Sequence, residues 1–420
     1  MKFHHPLFVS LVFCLATAFP LVSLAAAEST ADIARKEAVV VIRGQLPPNA
    51  PKGEQALFNL LGQMPGIRSI LIATNAKDFF DTLARYTNPT NGYKIPYLII
   101  QGHGNADNPH INLSPILRDG DEGSQGVRPE DIDYPDALER IRLFKKQLDQ
   151  AKRGMAELYL KPDQLEIATQ KETLENTIYE KMQGIEERME LLERLESVSQ
   201  AMSPGGRILL LNCSAYAEIK GKQFVHRLGQ ILLGRGGGQL AASTTDLAVL
   251  ETGGKLGYDG IFNWLWTFFR YGRIAKPGDI EVSGTGWFGD RLEWVVLNFP
   301  ANERQVLNSW LKVEFDPYIV ETTPGAKVEL TPKVKTYADS GRLRYSWLWS
   351  GGASTAAKAS VEVPQAVQGL IEVTVLVMDE RSREGTATVY LVVRPECRYR
   401  YSEWGACDAA TGRRQGSLLG

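Results

Sequence analysis

The sequence predicts an α/β domain with a parallel-rich central sheet and a helical hairpin inserted into it, followed by an all-β sandwich. Three observations carry this. Continuous apolar runs bounded by turn formers, Ala38-Val39-Val40-Val41-Ile42, Tyr97-Leu98-Ile99-Ile100 and Arg207-Ile208-Leu209-Leu210-Leu211, read as central strands of a parallel sheet covered on both faces. Between Pro135 and Ser203, apolar residues recur at spacings of three and four in a charged background, as on one face of a helix. Beyond Asp316 the pattern turns to strict alternation with short turns, which suits strands packed on one face only.

At the N-terminus, Lys2, His4 and His5 precede an apolar stretch from Leu7 to Leu24 that ends in Ala25-Ala26-Ala27. A basic start, an apolar middle and a small-residue end predict a secretory signal peptide over residues 1–27, with an uncleaved membrane anchor as the competing reading. The expected location is therefore secreted, periplasmic or cell-surface. Composition excludes other classes. With 47 Lys and Arg against 49 Asp and Glu, the chain carries no electrostatic footprint for nucleic acid. After the signal, no apolar stretch is long and clean enough to span a bilayer; the aromatic run Ile261–Phe269 is short and is interrupted by Asn263, so it reads as a core or substrate-side helix.

The α/β domain is expected over residues 36–315. Its first strand is followed by helical spacing from Glu54 to Met64, a strand at Ser69-Ile70-Leu71-Ile72, a helix from Ala76 to Tyr86 and the Tyr97 strand. The insertion, residues 135–203, carries Leu174, Ile178, Met182, Ile185, Met189, Leu192 and Leu195 on one helical face. Pro162 breaks the stretch into two helices that fold back as an antiparallel hairpin. The hairpin reads as a solvated structural arm, with a lid or inhibitory segment over the site as the alternative.

Residues 316–394 hold the sandwich strands: Lys327–Leu330, Arg344–Trp349, Ser360–Val363, Ile371–Val377 and Thr386–Val393. Trp347 and the strand end at Met378-Asp379 resemble PKD or immunoglobulin-like modules of secreted proteins. The tail, residues 395–420, holds Cys397 and Cys407 around Trp404 and is similar to the start of a thrombospondin type 1 module. Such modules imply a surface or glycan ligand. Either Cys397 pairs with Cys407 or the module is truncated.

Chemistry concentrates at two strand ends. Tyr97–Ile100 runs into Gln101-Gly102-His103-Gly104, and Arg207–Leu211 runs into Asn212-Cys213-Ser214. Open α/β sheets place their chemistry beyond the carboxyl ends of such strands. Once the signal is removed three cysteines remain, an odd count, so in an oxidising compartment Cys213 is either a buried inert thiol or a nucleophile. A His at one strand end and a Cys at the other are the two groups that nucleophilic thiol catalysis requires.

An apolar strand into His-Gly, followed by an apolar strand into Cys, is similar to the caspase-like fold of clan CD cysteine peptidases. The downstream Cys213-Ser214-Ala215, Gly221, Phe224 and Leu228, then Gly236–Ser243, resembles the helix and next strand of bacterial relatives of that fold. Leaving out the roughly 65 inserted residues brings His103 and Cys213 to about 45 residues apart, near the separation in caspases. The resemblance covers about Ala38 to Tyr271. It implies a three-layer α/β domain, a His103–Cys213 dyad acting on a protein or peptide substrate, and an oxyanion donor at the Gly104 N–H. Asn212 stands where many active members carry a small residue, and the caspase Gln-Ala-Cys-Arg-Gly signature is missing, so a catalytically inactive scaffold in a surface-binding protein is the alternative.

Other groups weigh less. Asp246 follows the Ala241-Ala242-Ser243 strand and is a candidate for selecting a basic substrate side chain. His226 sits mid-helix beside Phe224 and Leu228 and reads as packed or solvent-facing, and His110 falls in a loop after Asn108-Pro109. No cofactor is expected; a zinc site lacks its usual motifs, and Asp119, Asp121 and Glu122 form a calcium candidate that reads more simply as a solvated acidic loop. No Gly-x-Ser-x-Gly elbow supports a serine hydrolase.

Overall fold

The computed structural model describes residues 39–45, 66–87, 93–102, 111–113, 126–161, 165–212, 215–244, 267–272, 294–302, 307–337 and 340–394, with the backbone of 407–408 and 413–414. In chain order the elements are β1 (Val39–Arg43), β2 (Ile67–Ile72), α1 (Ala76–Tyr86), β3 (Ile95–Gln101), β4 (Ile111–Asn112), β5 (Gly126–Val127), a 3₁₀ turn (Pro129–Ile132), α2 (Tyr134–Tyr159), α3 (Leu165–Val198), β6 (Met202–Leu211), α4 (Glu218–Leu233), β7 (Gly238–Ser243), β8 (Trp294–Phe299), β9 (Val313–Glu314), β10 (Ile319–Thr322), β11 (Lys327–Leu330), β12 (Lys333–Val334), β13 (Arg344–Trp349), β14 (Gly352–Ser354), β15 (Ala359–Glu362), β16 (Gly369–Met378), β17 (Glu384–Val393), β18 (Cys407–Asp408) and β19 (Arg413–Arg414). They fall into two compact units, one of Met1–Ile132 with Ser197–Gln305 and one of Asp133–Glu196 with Val306–Gly420.

The first unit is mixed α/β around a sheet of order β2-β1-β3-β6-β7-β8. Its first five strands are parallel and β8 runs antiparallel to β7. The apolar runs account for this arrangement. Val40, Val41, Ile42, Leu98, Ile99, Ile100, Ile208, Leu209 and Leu210 are all fully buried, as side chains on both faces of a covered sheet must be. Each such burial contributes about 1.5–3 kcal/mol relative to an exposed side chain. Helix α4 packs on β6, β7 and β8. It comes close because position 229 is Gly: a Cβ there would meet Phe299 Cζ at 2.1 Å.

The helix from Ala76 to Tyr86 forms over the expected residues, with the Asn75 side chain accepting from the Asp78 N–H at 2.9 Å. Strand β6 begins five residues before the expected run, because Met202 pairs with Ile95 across a register shift. The expected helix from Glu54 to Met64 lies outside the described residues.

The second unit joins the hairpin to the C-terminal β region. A five-stranded sheet, β10-β17-β16-β13-β14, shares its core with the β11-β15 pair. Trp347, Val373, Val375 and Val389 meet Leu330, Val361 and Phe315 there, and the buried Trp347 donates its indole N–H to the Ala356 carbonyl at 2.8 Å. Strand β10 lies parallel to β17, a long-range pairing that no local pattern announces.

Helices α2 and α3 form the expected hairpin, and Ile178, Ile185, Met189, Leu192 and Leu195 of its apolar face are buried. The sequence reads it as a solvated arm of the α/β domain, but it groups with the β region. Tyr337 donates its hydroxyl to Glu193 at 2.8 Å, Lys335 pairs with the same carboxylate at 2.9 Å, and Tyr390 donates to the Asp149 carbonyl at 3.2 Å. Helical spacing reveals that a face is buried and is silent about what buries it. Among the described residues, no helix is long and apolar enough to cross a membrane.

Candidate functional site

The carboxyl ends of the central strands form one edge of the first unit. Chain order places β2 on one side of β1 and β3 on the other, so the connections leave in opposite directions at β1 and β3, where open α/β sheets bind ligands. Strands β3 and β6 are neighbours in parallel register, with Gln101 opposite Leu211. The Gly102 N–H donates to the Leu211 carbonyl at 3.4 Å, extending the ladder by one residue.

Polar side chains gather at this edge although the strands leading to it are apolar. Arg43, the last residue of β1, is only 3% exposed; its Nε donates to the Gly44 carbonyl at 3.0 Å and its Nη1 to Gln101 Oε1 at 3.3 Å. A buried guanidinium demands such partners, since removing a charge from water without them costs several kcal/mol. Asn212 after β6 and Ser243 at the end of β7 are also buried. The chain closes tightly over β1: a Cβ at Gly44 would meet the Leu113 carbonyl oxygen at 1.9 Å, so that position admits no side chain.

The segment after position 214 is tied down from two directions. The Tyr216 N–H donates to the Ser243 carbonyl at 2.9 Å, and the Tyr216 hydroxyl lies 3.3 Å from His226 Nε2 on the exposed face of α4. His226 also meets the Phe299 ring edge-on, with centroids 6.2 Å apart. It is thus engaged where it stands, and sits on a helix face as its position between Phe224 and Leu228 suggests.

Of the residues singled out from the sequence, His103, Gly104, Cys213 and Asp246 lie outside the described residues, as do His110, Asp119, Asp121, Glu122 and Cys397. Of the tail, the backbone of Cys407–Asp408 pairs antiparallel with Arg413–Arg414. Arg43 is not among the residues singled out from the sequence. Its signal there is a single charged residue closing a run of four valines and isoleucines, and a charge after a strand usually marks only its exit to solvent.

No protein-family model and no curated protein matches the chain. Among solved structures it is similar to a nucleoside hydrolase-related hypothetical protein from Saccharophagus degradans, at 12% identity and a TM-score of 0.18, over 85% of this chain and 99% of that one. So slight a likeness carries no argument about fold or activity.

Proposed function

We propose that the first unit is a caspase-like cysteine peptidase domain of a secreted protein, cleaving peptide bonds through His103 and Cys213. The supporting observation is the pairing of β3 with β6. In the sequence His103 stands two residues beyond Gln101 and Cys213 two residues beyond Leu211, and Gln101 and Leu211 are register partners at the carboxyl edge of adjacent parallel strands. The edge also carries the buried Arg43, and a cation close to a cysteine favours its thiolate.

In this mechanism the Cys213 thiolate attacks the scissile carbonyl carbon, and the carbonyl oxygen takes the negative charge. The Gly104 N–H donates to that oxygen, a contribution of about 3 kcal/mol for a preorganised donor. As the C–N bond breaks, His103 hands its proton to the leaving amine and a thioester remains on Cys213. Water then attacks the thioester, releasing the carboxylate and restoring the thiol. Asp246 serves to select a basic side chain next to the cleaved bond. The C-terminal β region and tail hold a surface or glycan ligand and deliver the peptidase to it.

The test is labelling of Cys213 with an iodoacetamide probe across pH in wild type, His103→Ala and Cys213→Ala, with intact-mass detection of self-cleavage. Fast labelling below about pH 7 that slows in His103→Ala supports the dyad. Labelling that is slow and indifferent to His103 replaces it with the inactive scaffold.

A further inference from the structure

The second unit contains a cleft of about 700 Å³, counting its open mouth, that plays no part in the peptidase proposal. Helix α2 lines one wall with Lys145, Asp149 and Lys152, spaced so that all three share a face. Helix α3 lines another with Met182, Ile185 and Met189. Met182 is 38% exposed while its neighbours on that face are buried, so an unbranched, adaptable side chain stands at the mouth.

The charges are not evenly satisfied. Lys312, at the third wall, sits 3.1 Å from Glu186 and 3.8 Å from Glu314 and is fully paired. Lys145 and Lys152 make no salt bridge among the described residues. Their ammonium groups lie instead over aromatic rings, 4.2 Å from the Trp310 centroid and 5.0 Å from that of Tyr318. With Lys312 accounted for by its acidic neighbours, Lys145, Lys152 and Asp149 leave one net positive charge beside an apolar floor. A single anionic head balances it, whereas a doubly charged head would be opposed by Asp149, Glu186, Glu314 and Glu384 nearby. Burial already weighs on the lysines, lowering Lys145 to about 8 and Lys152 in the same direction.

We propose that this cleft binds a small amphipathic carboxylate, its apolar chain along Ile185 and Met189 and its head held by Lys145 and Lys152. The bound anion replaces the hydration that burial removes from the two ammonium groups, and the floor replaces water around the chain. Because the anion favours the charged amine, binding takes up a proton once the pH is high enough for Lys145 to be partly neutral.

The experiment is calorimetric titration of the full chain with octanoate, and with octan-1-ol as the uncharged probe, in wild type, Lys145→Gln and Lys152→Gln. Circular dichroism melts check that each variant folds. The expected result is saturable octanoate binding that weakens about tenfold or more in either variant, with octan-1-ol bound at least about tenfold more weakly by wild type. Heats measured at about pH 8.5 in two buffers of different ionisation enthalpy should show proton uptake that falls away at about pH 6.5. No saturable binding, equal affinity for octan-1-ol, or octanoate binding unchanged in both variants overturns the proposal. None of these outcomes depends on the reactivity of Cys213, so the cleft and the peptidase proposals fail or stand separately.

Discussion

Gln101 and Leu211 face each other across adjacent parallel strands, and the Gly102 N–H reaches the Leu211 carbonyl at 3.4 Å just beyond them. Gln101 and Leu211 are therefore the last register partners of the β3–β6 ladder. The His-Gly and Asn-Cys segments both continue from this one point in the ladder.

That pairing can be disturbed without touching His103 or Cys213. Gly102→Pro removes the donor to Leu211 and should cost about 1 kcal/mol in urea unfolding. Under the peptidase proposal it should also slow labelling of Cys213 toward the rate of His103→Ala. Labelling that stays fast and dependent on His103 would show that the shared exit is unimportant for the dyad.

Gly229→Ala tests the seat of α4 on β8. A methyl group at that position would stand 2.1 Å from Phe299 Cζ in a buried contact, so helix or ring must shift. The expected loss is about 1–3 kcal/mol, read from the denaturation midpoint. Phe299→Leu in the same chain should return part of it, because the shorter side chain vacates the space.

In the second unit, Arg383 Nε lies 2.6 Å from Asp379 Oδ2, and both side chains are almost wholly buried. Asp379 also accepts from the Arg381 and Arg383 N–H groups at 2.9 Å. Asp379→Ala, which removes the carboxylate 2.6 Å from the buried guanidinium, should destabilise the chain by about 3–5 kcal/mol. The double variant Asp379→Leu with Arg383→Met should be markedly less damaged than Asp379→Ala, since no lone charge stays buried. Equal damage in the two would assign the loss to the turn's N–H contacts instead of the ion pair.

Lys145 makes stability depend on pH in a definite direction. Burial lowers it from 10.5 to about 8, so between those values the unfolded chain holds a proton that the folded chain has released. Folding stability contributed by this group therefore rises as pH climbs from about 8 toward 10.5, and its penalty is full below 8. The stability difference between Lys145→Met and wild type should favour the variant at about pH 7 and shrink toward about pH 10. A difference that does not vary with pH would mean that the amine is no harder to charge in the fold than out of it.

Much of the architecture was legible locally. The runs Val39–Ile42 and Leu98–Ile100 announce covered parallel strands because no half-exposed strand tolerates apolar residues on both faces. The alternation of Val373, Val375 and Val377 with Thr374 and Leu376 likewise announces a strand with one packed face. Arg43 shows the limit. As a sequence letter it ends a strand; only the neighbouring β3 makes it a buried guanidinium bound to Gln101.

By itself the sequence determined the periodicities: where the central parallel strands, α1, the hairpin helices and five strands of the β region form, which face of each is apolar, and that a His and a Cys follow two apolar strands. Tertiary structure alone decided partners. It made β3 and β6 neighbours despite the 100 or so residues between them, laid β10 parallel to β17, packed the apolar faces of α2 and α3 on each other, and grouped the hairpin with the β region. The physical reason is the same in each case. Burial of apolar surface is non-directional, so a sequence can specify that a face must be covered, whereas which element covers it is settled by shape, hydrogen-bond register and charge across the whole chain.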